Sequence, residues 1–220
     1  MRVLIFFLTF TFVYLNKSEL PEGFIRLNDI DSTIIIDLKY NTQLNFTGKI
    51  VRGYRSNSAI LSEDASTALI NAQKDFNKLG YSLIVFDAYR PQSAVDFFFE
   101  WSKDLNDTIN KGSYYPNISK SQLFDLGYIA KKSGHSRGST VDVSLVDMST
   151  NTQIDMGSEY DFFGIQSSTF YSKISDLQKN NRTILYNIMI NNGFKNYSKE
   201  WWHFTLENEP FQEYFNFLVQ

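Results

Sequence analysis

The chain opens with an apolar run at 3–15 (VLIFFLTFTFVYL), preceded by Met1-Arg2 and followed by polar Asn16-Lys17-Ser18-Glu19. One basic residue, an apolar stretch of this length and a polar exit have the form of a secretory leader. The stretch is shorter than the ~20 apolar residues that a spanning helix needs. The same residues also fit a buried first strand or an uncleaved anchor. The expected division is a signal peptide over 1–18 and one domain over 19–220, exported to the periplasm or secreted. No repeat and no low-complexity linker divides that domain further.

Within it, hydrophobic spacing predicts the main elements. Residues 33–38 (TIIIDL) predict a strand. Over 62–79, Ala65, Ala68, Leu69, Ala72 and Phe76 recur at helical spacing, and Gly80 supplies the terminator. Residues 81–88 (YSLIVFDA) have the unbroken apolar middle of a buried strand. Pro91 suits the first position of a helix running to about Lys103. Ser119 and Gln122 form a capping box for a short helix stopped by Gly127. Residues 140–146 alternate, with Val141, Val143 and Leu145 on one face and Asp142 and Ser144 on the other. Residues 181–191 predict a helix buried along Ile184, Leu185, Ile188 and Met189, with Gly193 after it. Residues 200–206 are aromatic and β-prone. Helices and strands mix without a strict βαβ rhythm. The predicted class is α+β, a single domain with a small, mostly antiparallel sheet packed by helices.

Composition narrows the function. Hydrophobic residues at 43% and charged residues at 20% are ordinary globular values, and the length is ample for a core. Aromatics reach 16%, but most sit in apolar runs and read as core rather than as a carbohydrate-binding surface. A net charge of -3 without a basic stripe excludes a nucleic-acid partner. The absence of cysteine excludes disulfides, thiolate zinc sites, iron–sulfur clusters and thiol nucleophiles. The chain has two histidines, His135 and His203, so histidine chemistry must use these.

Three stretches carry candidate chemistry. The first is Ser133-Gly134-His135-Ser136-Arg137-Gly138-Ser139-Thr140-Val141-Asp142. A Gly/Ser-rich turn lets the imidazole fold back beside an aspartate on the following strand, and nitrogen with carboxylate oxygen is good zinc ligation. The same spacing suits a turn-capping histidine and a solvated strand aspartate. The second is Glu200-Trp201-Trp202-His203-Phe204. Bulky aromatics exclude water, and a carboxylate among them has a raised pKa suited to proton transfer. Strict alternation puts Glu200 and His203 on opposite faces, so a shared site needs a bend or bulge between them. A Trp-rich core strand with an incidental histidine is the alternative. The third is Asp87-Ala88-Tyr89-Arg90-Pro91-Gln92, at a strand–helix junction. Arg90 stays charged at any working pH and suits an anionic transition state. It equally suits an ion pair with Asp87 that fixes the junction. Together the stretches offer two neutral nitrogens and one carboxylate with a fourth position free. That is the composition of a catalytic rather than a structural zinc site. A further glutamate and an arginine complete the parts for metal-assisted hydrolysis.

These residues resemble the D-alanyl-D-alanine dipeptidases of the VanX type, zinc peptidases of family M15 that share a fold with Hedgehog signalling domains. The resemblance runs from Asp37-Leu38-Lys39-Tyr40 and Asn45-Phe46-Thr47-Gly48-Lys49 through DAYRPQ (87–92), SYYPNI (113–118) and GYIAKKSGHSRGSTVDVSL (127–145). It continues through MGSEYDFF (156–163) to EWWHF (200–204), and so covers nearly all of 19–220 in order. It implies one zinc ion bound by His135, Asp142 and His203, with Glu200 as general base and Arg90 on the carbonyl oxygen as it gains charge. It implies that Asp161, Tyr40 and Ser133 lie near the free ammonium end of a dipeptide, and that Asp87 orients the Arg90 loop. The implied reaction is hydrolysis of D-alanyl-D-alanine to two D-alanines. The implied partner is a small dipeptide, with no nucleic acid and no stable membrane insertion once the leader is removed. Two departures stand out: Gly134 replaces a common serine, and GIQSSTFY after Phe163 lacks the histidines expected there. A related zinc D,D-carboxypeptidase or endopeptidase on peptidoglycan peptides would use the same parts in an open cleft. A non-catalytic metal-retaining module would need neither Glu200 nor Arg90.

Overall fold

Unbroken apolar runs and helical periods set most of the elements, and tertiary contacts set their ends. The computed structural model describes residues 19–220. The leader expected over 1–18 lies outside them. In chain order the elements are β1 (Phe24–Arg26), the single turn α1 (Leu27–Ile30), β2 (Ile35–Ile36), β3 (Ile60–Ser62), α2 (Glu63–Lys78), β4 (Tyr81–Asp87), α3 (Gln92–Lys103), the single turn α4 (Lys111–Tyr114), β5 (Thr140–Asp147), β6 (Thr152–Gln153), α5 (Asp176–Asn191), β7 (Phe194–Asn196) and β8 (His203–Leu206). The main sheet has the order β2-β4-β5-β8-β7, with β6 on the far end of β5. All its pairings are antiparallel except β2 with β4. β1 and β3 form a separate antiparallel pair that the sequence pattern did not announce. α2 lies against β4 and α5. The α+β class with a mostly antiparallel sheet is therefore the class of this molecule. Among the described residues no helix is long and apolar enough to cross a membrane.

Several boundaries differ from the periodicity for local reasons. The strand expected over 33–38 shrinks to Ile35–Ile36. Asp31 Oδ1 takes the Thr33 amide at 2.9 Å and Asn57 Oδ1 takes the Leu38 amide at 2.8 Å, so side chains replace a strand partner at both ends. α2 starts where Ser62 Oγ accepts the Ala65 amide, and Pro91 stands at the cap of α3 rather than inside it. The capping box at Ser119 and Gln122 builds only a 3-10 turn, Lys120–Gln122. α5 begins at Asp176, five residues before the helix start expected at Asn181, because a Ser175–Gln178 capping box nucleates a mostly polar first turn outside the apolar stripe. β5 is buried on both faces, not on one. Its second face is covered where Tyr160 and Arg90 stand over Asp142.

The segment after β8 is a strap without regular structure. Phe211, Phe215 and Phe217 surround Phe24 with ring centroids 4.9–5.1 Å away, and Phe217 stacks on Tyr89 at 3.9 Å. The Phe215 amide donates to Ser136 O at 2.8 Å, and Phe215 O accepts from the Gln92 amide at 3.1 Å. Further on, the Val219 amide donates to Gly53 O at 2.9 Å. Phe24 is thereby pressed against Gly138, which has φ 82° and follows the turn carrying His135. A Cβ there would lie 2.2 Å from Phe24 Cε1. Gly138→Ala should therefore lose ~1–3 kcal/mol or more of stability through strain and overpacking. Chemical denaturation measures this; a variant as stable as the parent would contradict the packing.

Candidate active site

A bulge decides which side chains meet at the centre. β4 and β5 pair Val85 with Val143, then slip so that Asp87 rather than Phe86 pairs with Asp142. A bulge of this kind re-aims a side chain beside a site. It sets two buried carboxylates across from each other, which needs positive charge between them. Arg90 provides it: its Nε donates to Asp87 Oδ2 at 2.8 Å and its Nη2 lies 3.5 Å from Asp142 Oδ2. Tyr54 donates to the other Asp87 oxygen at 2.5 Å. Burial pushes the Asp87 carboxyl up, against the pull of Arg90 and His135. The Arg90 guanidinium also lies 5.1 Å from the Tyr40 ring centre and 5.4 Å from that of Phe98.

His135 sits in a 3-10 turn, Gly134–Arg137, whose first amides are capped by Ser133 Oγ at 3.3 Å from the His135 amide. The nitrogen Nδ1 lies 2.7 Å from Ala88 O, which fixes the proton there and leaves Nε2 with a free lone pair. Burial lowers the His135 pKa, so the ring is neutral near pH 7. His203 pairs with Asp142 across β5 and β8. The chain bends just before it: Glu200 lies in a turn, and Glu200 O accepts the His203 amide at 3.2 Å. That is the bend which a shared site requires, and Glu200 Oε2 comes within 3.5 Å of His203 Nδ1.

The donor atoms fit a metal ion. His135 Nε2, Asp142 Oδ1 and His203 Nδ1 form a triangle with sides of 3.3, 3.1 and 3.3 Å. Zinc ligands at ~2.0–2.2 Å in tetrahedral geometry stand ~3.3–3.6 Å apart. Asp142 Oδ1 is buried and has no hydrogen-bond donor, although both nitrogens are close. Two imidazole nitrogens gathered on one buried carboxylate oxygen suit a bound cation. Burial alone would raise the Asp142 pKa, but His135 and His203 hold it well below the usual carboxylate range. Two imidazoles and one carboxylate, with a fourth direction open, are the donor set of a catalytic zinc site.

That fourth direction faces a cavity of about 330 Å³ whose wall includes Asp142, His203, Glu200, Arg90, Tyr40 and Asp161. The volume is at the small end of the ~300–1,000 Å³ usual for small-molecule sites. Ser133 also lines it, while Asp87 sits behind Arg90. Burial pushes the Glu200 carboxyl up to about 7, opposed by His203. Asp161 has φ 60° and accepts from Tyr40 Oη at 2.9 Å; burial pushes its pKa well up. Gly134 has a local explanation: a Cβ there would stand 2.8 Å from Thr140 Oγ1, so the serine common at this place does not fit. Two residues escaped the sequence reading. Tyr54 and Tyr160 reach the site only through hydroxyl contacts to Asp87 and Asp142. Tyr160 stands next to Asp161 in the MGSEYDFF motif, the one available signal.

A mixed α+β domain with three donors around an open position, flanked by a buried carboxylate and a guanidinium, defines a mononuclear metallohydrolase. Residues 21–220 match the M15 peptidase family, described as D-ala-D-ala dipeptidase, and the chain belongs to that family. It is 41% identical over 201 residues to a D-alanyl-D-alanine dipeptidase of Enterococcus faecalis, covering 91% of this chain and 100% of that one. A D-alanyl-D-alanine dipeptidase of Enterococcus faecium is 40% identical over 199 residues, 90% of this chain and 98% of its own. One from Streptomyces coelicolor is 40% identical over 197 residues, 89% of this chain and 98% of its own.

Proposed function

We propose that this protein is a zinc-dependent dipeptidase that hydrolyses D-alanyl-D-alanine to two D-alanines. The observation that carries the reading is the triangle of ligand atoms from His135, Asp142 and His203, opening on a small pocket beside Glu200 and Arg90. Its relatives of nearly the same length are D-alanyl-D-alanine dipeptidases. A zinc ion held by these side chains supplies Lewis acidity, which brings the pKa of a water from 15.7 toward ~7 and polarises the amide carbonyl.

The chain's own residues do the rest. Glu200 takes a proton from the attacking water at its carboxylate and hands it to the amide nitrogen as the C–N bond breaks. Arg90, held by Asp87, presents fixed positive charge to the carbonyl oxygen as that oxygen becomes negative. Asp161, with Tyr40 and Ser133, receives the dipeptide's ammonium group, where a charge-assisted hydrogen bond is worth ~1.5–3 kcal/mol. Trp202, Tyr128 and Phe163 wall the cavity and limit its water. A pocket of this size with an anionic end selects a free dipeptide over a longer or blocked one.

The deciding measurement is zinc content together with rates on D-alanyl-D-alanine, its N-acetylated form and a stem pentapeptide. The dipeptide should be cut at least ten times faster than either, if the loss of one ammonium contact costs the ~1.5–3 kcal/mol above. Preference for the blocked or longer substrates would instead indicate a D,D-carboxypeptidase or endopeptidase. We further infer that residues 1–18 direct export, on the strength of the apolar run at 3–15. Mass spectrometry of the cell-free product would read an N-terminus beyond that run; one still containing Phe6 would overturn the export inference.

A further inference from the structure

Four oxygen atoms form a continuous chain behind the cavity wall. Asp142 Oδ2, the carboxylate oxygen turned away from the metal position, lies 3.0 Å from Tyr160 Oη. Tyr160 Oη lies 3.1 Å from Tyr40 Oη, and Tyr40 Oη lies 2.9 Å from Asp161 Oδ2. Tyr40, Asp142 and Asp161 line the cavity; Tyr160 does not. Its hydroxyl therefore touches neither substrate nor metal, yet it bridges the residues that the proposed function assigns to each.

The geometry points to Tyr160 as a positioning residue that couples the metal-binding carboxylate to the amine-recognising one, through the Tyr40 hydroxyl. The amine half of this inference rests on the dipeptidase reading; the metal half does not.

Proton bookkeeping supports it. Tyr160 has one proton and two acceptors, and the ionised Asp142 is the stronger of them. The Tyr160 hydroxyl then donates to Oδ2, which holds the carboxylate in one orientation with Oδ1 left for the metal. Outer hydrogen bonds of this type commonly govern metal affinity. Tyr40 donates its own proton to Asp161 Oδ2, and its oxygen is the second acceptor open to Tyr160. When an ammonium group ionises Asp161, the carboxylate draws the Tyr40 proton harder, the Tyr40 oxygen becomes a stronger acceptor, and it competes better with Asp142 Oδ2 for the Tyr160 proton. With the amine subsite empty that competition is weaker, and the Tyr160 proton stays on Oδ2. The state of the amine subsite thus reaches Oδ2 of a metal ligand through two hydroxyls, without movement of the backbone.

The ring of Tyr160 has a separate packing role, against Phe86 at 4.9 Å and Trp202 at 5.3 Å between centroids. Tyr160→Phe keeps that role and removes only the hydroxyl. Its zinc affinity, read by competition with a chromophoric chelator, should weaken by about 10-fold or more. Its KM for D-alanyl-D-alanine should rise, and that rise should vanish when Tyr160→Phe is made in an Asp161→Ala background. Tyr40→Phe, which breaks the chain at its middle, should raise KM more and weaken zinc less than Tyr160→Phe does. Zinc affinity within twofold of the parent in Tyr160→Phe would overturn the metal half, whatever the substrate proves to be. An unchanged KM, or a rise of the same size with and without Asp161, would overturn the coupling. Should the parent leave the dipeptide uncut, the dipeptidase reading and the amine half fall together, and the chelator competition still decides the metal half. Should Tyr160→Phe fail to fold, the two readouts on Tyr40→Phe stand in: no rise in KM would refute the chain.

Discussion

His203→Ala is expected to purify without a stoichiometric metal and to cleave D-alanyl-D-alanine no faster than buffer. His203 supplies one of three donor atoms, and it stands 3.1 Å from Asp142 Oδ1, an oxygen that receives no hydrogen bond. Two remaining donors leave a divalent ion mostly hydrated. Without the ion the attacking water returns from a pKa of ~7 to 15.7, so hydroxide at neutral pH becomes scarcer by about eight powers of ten. The fold should survive, because Phe204 and Thr205 keep the pairing of β8 with β5. Elemental analysis checks the result. One full zinc equivalent in a folded His203→Ala chain would mean that the donor set has been misread.

Glu200→Ala should behave in the opposite way, keeping its zinc and losing turnover. The carboxylate lies 3.5 Å from His203 Nδ1 and is none of the three donors, so its removal leaves the metal triangle intact. What goes is the group that moves protons, and general acid–base catalysis is worth about 10²–10⁴ in rate. The loss should fall on kcat, with KM little changed, since the ammonium contacts at Asp161 and Tyr40 remain. Lowering the pH should imitate both variants in the parent. Protonated Glu200 has no lone pair for the water's proton, and protons compete with the metal for His135 and His203. Activity therefore falls on the acid side. Normal hydrolysis by Glu200→Ala would remove the base from the mechanism.

The parts of this molecule governed by local rules were legible in its sequence. Apolar spacing marked α2 and β4, and the alternation of β5 put Asp142 on one face with Ser144. Residue chemistry narrowed the histidine candidates to two, and the structure brings both of them beside Asp142. The parts governed by register were not. The slip after Val85 that brings Asp87 opposite Asp142 depends on how β4 meets β5, and no residue in YSLIVFD signals it. Tyr160 looks like any core aromatic until the fold places its hydroxyl 3.0 Å from Asp142. The pair of β1 and β3 has only three residues a side, too few for a periodic signal. The strap was equally hidden. Its phenylalanines take their order from Phe24, nearly two hundred residues earlier in the chain.

That strap has a consequence for the order in which the enzyme matures. A ribosome delivers the polypeptide from its amino end. His135 and Asp142 emerge before the third donor, which belongs to β8, and Phe215, which steadies the neighbouring Ser136, comes later still. A nascent chain therefore carries an incomplete cation site from the synthesis of Asp142 until that of His203. Metal capture, and with it hydrolysis, becomes one of the last events in biogenesis.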